Sequence, residues 1–225
     1  MQVVGEKNLP RAGAPVSQTN GRTVPQSWRA TKRALDLTLS VVAIVVTAPI
    51  VIAASLAVSI VTGGAPFFAQ ERVGRFGRRF RMYKLRTMVP GAHEMRGDVL
   101  HLNEASGPVF KIREDPRLHP LGGFLRRTSI DELPNLWNVV RGEMSLVGPR
   151  PPLPSEVEHY DEHALRRLSV KPGITCLWQI SGRSALSFDQ WMELDNRYID
   201  TWSPALDLRI LLLTIPAVLR KDGAH

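Results

Sequence analysis

A single cysteine, Cys176, stands in this 225-residue chain. That excludes an intrachain disulfide framework and any cysteine-rich zinc site, and it suits a reducing compartment. The six histidines show no metal-ligand spacing and read as surface or interfacial residues. No Gly-rich phosphate loop of the P-loop or dinucleotide type is present, and no nucleophile elbow marks a hydrolase triad. Residues 1–28 have few apolar side chains and many Gly, Pro, Ser, Thr, Gln and Asn, so they are expected to be a disordered arm without a signal-peptide core. Internal repeats are absent as well.

Charge is missing altogether from Leu37 to Val61, 25 residues that read LTLSVVAIVVTAPIVIAASLAVSIV. A run this long and apolar exceeds an ordinary buried helix and points to a membrane segment. Pro49, at its middle, removes a backbone donor and crowds the carbonyl of Val45, which predicts a kink. Each arm beside Pro49 would then be ~18 Å, short of the ~30 Å of hydrocarbon. Basic residues flank both ends: Arg22, Arg29, Lys32 and Arg33 upstream, and Arg72, Arg75, Arg78, Arg79, Arg81, Lys84 and Arg86 downstream. The positive-inside bias places both ends on the cytoplasmic face, and a re-entrant helical hairpin satisfies this better than one kinked span. Asp36 is spaced to pair with Lys32 or Arg33 on the same helix.

What is abundant is positive charge, with a net of +8. Such a balance attracts phosphates, whether of nucleic acid, anionic lipid or a nucleotide. The stretch Phe67 to Met88 alternates apolar and basic residues around Gly74 and Gly77 and predicts a β-hairpin. Its arginines, directly after the membrane segment, are expected to meet anionic headgroups of the inner leaflet rather than nucleic acid, with Lys84 and Arg86 ending the patch. Beyond it, helices are expected over about 91–103, from the acidic pair to about 140, and over 156–168, 187–201 and 206–219. The last combines an apolar face with Asp207, Arg209 and Arg220, as expected of an interfacial helix.

The most chemically pointed strings are Ser129-Ile130-Asp131-Glu132-Leu133-Pro134 and Gly148-Pro149-Arg150-Pro151. Adjacent carboxylates can attack phosphorus or hold a divalent cation, and an arginine fork on a rigid turn matches phosphate oxygens. Ser129 and Glu132 also have the spacing of a capping box, which makes helix initiation a competing reading. Pro134 would clash with the preceding turn of a helix capped at Ser129, so a start nearer Asp131 is expected. Arg183, in Ile180-Ser181-Gly182-Arg183, is a second candidate fork.

Together, Lys32-Arg33-Ala34-Leu35-Asp36, Gln70-Glu71-Arg72-Val73-Gly74, YKLRTM, TSIDELPNLWNVVRGEMSLVGPRP and KPGITCLWQISGRS resemble the bacterial sugar transferase family, the monotopic polyprenol-phosphate phosphoglycosyl transferases, over about residues 30–220. The resemblance implies an α+β, predominantly helical fold. It comprises a proline-broken re-entrant membrane helix hairpin (29–64) and a small cytoplasmic catalytic domain (65–225), with a short β-hairpin and interfacial amphipathic helices. The chain looks like the minimal catalytic form, without the multi-span region of some relatives. The implied reaction moves a sugar 1-phosphate from a UDP-sugar to polyprenyl phosphate and releases UMP, initiating exopolysaccharide, capsule or O-antigen type glycans at the bacterial inner membrane. By resemblance, Asp131 is the nucleophile and Glu132 its partner at Mg²⁺, while Lys84, Arg126, Arg150 and Arg183 hold phosphates or nucleotide. Glucose and galactose are the first sugars expected, and a homo-oligomer is allowed. The rival class is a non-catalytic basic adaptor on anionic membranes, which would tolerate loss of Asp131.

Overall fold

The computed structural model describes residues 25–104, 106–181 and 186–219. The chain is mostly helical, with two small sheets and one long apolar helix. That helix, α1, runs Gln26–Thr62 and ends where Gly63 takes a left-handed conformation (φ 63°) and donates its N–H to Ser59. It starts inside the stretch expected to be disordered. Pro49 lies within it without ending it, so the two expected arms belong to one helix. Thr47 and Ser55 turn their hydroxyls back onto Ala43 and Val51 and hide them from an apolar surround. The flanks are bare: Val45 is 70 % and Ile60 82 % exposed. Among the described residues it is the helix long and apolar enough to cross a membrane.

The root of α1 is bound to the rest of the chain, but not as its own spacing suggests. Lys32 reaches Asp207 at 2.6 Å, and Arg33 donates to the carbonyls of Val139 and Val140. Asp36 accepts from the Ser145 hydroxyl and the Leu146 N–H, each at 3.0 Å. The expected pairing of Asp36 with Lys32 or Arg33 is therefore replaced by contacts across the fold. A buried carboxylate gains more from fixed donors of a packed strand than from a solvated neighbour on its own helix.

The hairpin forms as expected, with β1 (Phe67–Val73) antiparallel to β2 (Arg79–Leu85) and Phe68 opposite Lys84. Its inner face packs Phe80 and Met82 on Val139 and Met144. Helix α2 (Gly122–Thr128) leads into the acidic turn, and α3 (Asn135–Arg141) follows it. Strand β3 (Ser145–Val147) pairs in parallel with β4 (Gly173–Thr175), an element the sequence reading did not contain. Of the short helices, α4 (Pro154–Val157) packs on β1, whereas α5 (Glu162–Leu165) and α6 (Leu177–Ile180) pack against the helix Phe188–Thr201 that comes after them. The chain closes with α7 (Phe188–Thr201) and α8 (Pro204–Leu219). Tyr198, Ile199 and Ile210 of these two helices pack on Val147.

Two expected helices dissolve into shorter pieces. Over 91–103 there are only turns and two 3₁₀ turns, since Gly91 sits at φ 79° and no side chain caps the segment. The 156–168 helix breaks because Asp161 turns its carboxylate onto the Ala164 N–H and starts a new helix. The histidines are exposed as expected at 93, 101, 159 and 163, but His119 is buried. Its Nε2 lies 2.8 Å from the Arg86 carbonyl, while Nδ1 accepts from the Leu121 N–H.

Candidate active site

The acidic pair owes its position to one left-handed residue. Ser129 (φ 56°) closes α2, with its N–H turned back to Arg126, and its side chain makes no cap. The capping box of Ser129 and Glu132, the competing reading of this string, is absent. A single 3₁₀ turn, Ile130–Glu132, follows, and Pro134 stands just before α3, where its missing N–H costs no helical bond. The turn buries Asp131 and leaves the Glu132 side chain 32 % exposed.

Lys84, at the end of β2, donates to Glu132 at 2.6 Å. Arg126, on α2, donates to the Thr87 hydroxyl at 3.2 Å and lies beside Asp131. Burial pushes the Asp131 carboxyl up to about 6, and the Glu132 charge adds to this while Lys84 and Arg126 oppose it. For Glu132 burial acts the same way, but Lys84, Arg150 and Arg72 outweigh it and hold the carboxyl below its ordinary value. Neighbouring carboxylates are thereby driven apart in proton affinity, and among the described residues one has a bonded cation and the other has none.

Arg150 is held from every side. Gly148 and Gly173 approach so closely that a Cβ on either would strike the other's backbone. The Gly173 N–H donates to the Pro149 carbonyl at 2.9 Å, and Val73 and Arg72 of β1 donate to the carbonyls of Pro152 and Pro151. Arg167, buried and paired with Asp195 at 2.7 Å, donates to the carbonyl of Arg150 itself. Glu156, buried, takes the guanidinium at 3.3 Å. The result is a planar cation fixed on a strand-anchored turn, near enough to lower the proton affinity of Glu132.

The structure brings Asp131, Glu132, Lys84, Arg126 and Arg150 into one site; Arg183 lies outside the described residues. Sequence reasoning missed the residues behind them. Arg72 belongs to the stretch expected to face lipid headgroups, yet it is buried, donates to Gln70 at 2.6 Å, and has its guanidinium pushed down to about 9 by burial and by Arg150. It remains a cation at neutral pH. Glu156 and Arg167 carried no signal beyond being charged residues in an apolar neighbourhood. Two carboxylates in one turn thus lie among the side chains of Lys84, Arg126 and Arg150.

Residues 27–221 match the family model described as bacterial sugar transferase. The chain belongs to the bacterial sugar transferase family. It is 43 % identical over 98 % of its length to a galactosyl transferase, CpsE, of Streptococcus agalactiae, covering 49 % of that protein. It is 38 % identical over 89 % to the undecaprenyl-phosphate galactose phosphotransferase of Salmonella typhimurium, covering 43 % of it. A shorter relative, the exopolysaccharide production protein ExoY of Rhizobium meliloti, is 38 % identical over 86 % of this chain and is itself 88 % covered. The chain thus spans about half the length of the first two and most of the third.

Proposed function

We propose that the protein transfers a sugar 1-phosphate from a UDP-sugar to polyprenyl phosphate at the cytoplasmic face of the bacterial inner membrane. The observation that carries this reading is a buried aspartate that no other described residue bonds, set in a turn ringed by Lys84, Arg126 and Arg150. The family relationship supports it: relatives carry the names of undecaprenyl-phosphate galactose and glucose-1-phosphate transferases. The UDP-sugar brings two negative phosphates to two carboxylates, and guanidinium and ammonium groups are what make that approach tolerable.

In this reading an Asp131 oxygen attacks the phosphorus attached to the sugar. A phosphorus–oxygen bond to Asp131 forms as the bond to the bridging oxygen breaks, and UMP leaves with that electron pair. A polyprenyl phosphate oxygen then attacks the same phosphorus and releases the Asp131 carboxylate. Arg150 and Arg126 hold phosphate oxygens, and Arg183 is proposed to join them, in line with the family resemblance. Lys84 keeps Glu132 ionised and gives up part of that contact when phosphate arrives. Asp131 and Glu132 offer the hard oxygen donors Mg²⁺ takes beside substrate phosphates, and no cluster of three or more acidic, histidine or cysteine ligands occurs among the described residues. Mg²⁺, when bound, supplies neutralisation of the diphosphate charge.

Helix α1 is proposed to enter and leave the bilayer on one side, bent at Pro49, with α8 lying in the interface through Leu208, Leu212, Leu213 and Ile215, all exposed. Cysteines at Gln26 and Arg79, in a Cys176→Ser background, are expected to react with an impermeant reagent from the cytoplasmic side only. Labelling from opposite sides would instead establish a span. The reaction itself is tested by incubating the full chain with a panel of UDP-sugars, polyprenyl phosphate and Mg²⁺. UMP release with one sugar of the panel is expected, and none with any sugar would reject the assignment. An adaptor role, by contrast, gives no reason for a buried, unbonded Asp131.

A further inference from the structure

The structure divides the basic stretch between the membrane segment and the site. Arg72 is turned inward, Lys84 serves Glu132, Arg79 pairs with Glu71 at 2.7 Å, and Arg86 donates to the Ala65 carbonyl. Arg75 and Arg78, at the hairpin tip, are exposed and have no acidic partner among the described residues. The tip is fixed in place by the Arg75 Nε donating to the Ser169 carbonyl at 3.1 Å. Two residues on from Ser169, Lys171 places its ammonium beside Arg33: both stand about as near to the Cβ position of Gly142, at 3.5 and 3.6 Å. Arg29 lies one turn before Arg33 on α1 and is exposed.

Three segments therefore bring Arg29, Arg75, Arg78 and Lys171 together at the root of the apolar helix. Burial and then Arg29 and Arg78 lower the proton affinity of Arg75, while burial and then Arg33 lower that of Lys171, a sign of cations gathered without enough counter-charge. The carboxylate that favours the charged Lys171, Asp36, is committed to Ser145 and Leu146. Depth identifies the occupant. Arg29 precedes the first large exposed apolar residue of α1, Leu35, by six positions, about 9 Å along a helix, which is roughly the thickness of a headgroup layer. Phe76, 39 % exposed and held in a left-handed conformation (φ 58°) at the tip, stacks under the Arg75 guanidinium at 4.4 Å. An exposed phenylalanine among arginines is the composition of a surface that lies in a membrane interface.

We propose that Arg29, Arg75, Arg78 and Lys171 form a binding surface for the phosphodiester headgroup of an anionic phospholipid, separate from the phosphate-binding residues of the active site. This rests on the reading of α1 as a membrane helix. The surface would seat the hairpin against the leaflet, with its tip held at the lipid and its other end carrying Lys84 in the site.

Native mass spectrometry of the full chain, released from detergent with equal phosphatidylglycerol and phosphatidylcholine of matched acyl chains, tests it. The parent should carry phosphatidylglycerol in preference. Arg29→Gln with Arg78→Gln, both exposed positions, should reduce that preference about fivefold for each residue removed. Arg127→Gln with Arg197→Gln, exposed positions on α2 and α7, removes the same charge elsewhere and should leave it intact. Equal loss in the control pair, no preference in the parent, or an undiminished preference in the first pair would overturn the proposal. Displacement by millimolar inorganic phosphate would reassign the surface to a soluble anion, and displacement by a short oligonucleotide to nucleic acid; either overturns the lipid assignment. Flotation of every variant with neutral phosphatidylcholine vesicles reads membrane insertion separately: its absence in the parent would reject the membrane helix itself.

Discussion

Asp131 and Asp207 are equally buried, each 6 % exposed, and their surroundings could hardly differ more. Asp207, on α8, accepts from Lys32 at 2.6 Å, Tyr198 at 2.8 Å and the Trp202 indole at 3.0 Å. Lys32 and Tyr198 also donate to the carbonyl of Val147, so the network ties α1, α7 and α8 to the strand that leads into the Arg150 turn. Among the described residues, Asp131 receives no hydrogen bond from any other residue, and its cations act on it through space. Burial makes both carboxylates costly; saturation by donors turns one into a clamp, and its lack suits the other to the attack on phosphorus proposed for it.

The comparison breaks most sharply under amide substitution. Asp131→Asn should abolish turnover, by a factor of at least ~10³ as for loss of a nucleophile, without loss of fold. Asp207→Asn should keep the chemistry and lower stability by roughly 3 kcal/mol, since it strands Lys32 as a buried charge. Thermal unfolding and UMP release measured on both variants check this, and the reverse pattern would exchange the two roles.

The second largest effect concerns Arg150. Arg150→Lys keeps the charge and loses the planar fork, and it should cost at least ~1.5 kcal/mol in use of UDP-sugar, about tenfold in kcat/KM. A value equal to the parent's would reduce Arg150 to a turn residue.

Smaller shifts follow from proton affinity. With Asp131 at about 6, above its ordinary 3.8, the folded state binds the proton more tightly than the unfolded one. The stability this gives is present at low pH and is lost as pH rises from 3.8 through about 6. The advantage of Asp131→Asn in melting temperature over the parent should therefore grow between pH 5 and pH 7, to a few degrees. Activity should rise on an acid limb near pH 6, and Lys84→Met should move that limb upward, because the ammonium is the largest influence favouring the Asp131 anion. A limb unmoved by Lys84→Met would separate the lysine from Asp131.

Much of this site was legible in the sequence, because its parts are local. Ser129 to Pro134 and Gly148 to Pro151 are contiguous strings whose turn chemistry shows in the residue types. The hairpin was legible for the same reason, through alternation around Gly74 and Gly77. What could not be read was long-range. The parallel pairing of β3 with β4 joins three-residue strands too short to carry a pattern. Asp207 looked like the polar face of an interfacial helix and is instead a buried clamp for α1, a fact set by Lys32, 175 positions away. Arg72 looked like one of a run of surface arginines and is a buried support of the Arg150 turn. Residue type alone does not tell which cation in such a run faces inward.

The central claim, that Asp131 is the nucleophile, is tested most directly by a single-turnover reaction without lipid acceptor. Enzyme, Mg²⁺ and the UDP-sugar it accepts should release about one UMP per active site, and intact mass should rise by one sugar phosphate, as expected of a covalent intermediate. Added polyprenyl phosphate should then discharge that adduct, and Asp131→Asn should show neither burst nor mass shift. UMP appearing only when lipid acceptor is present, with no adduct to trap, or turnover surviving in Asp131→Asn, would contradict the account.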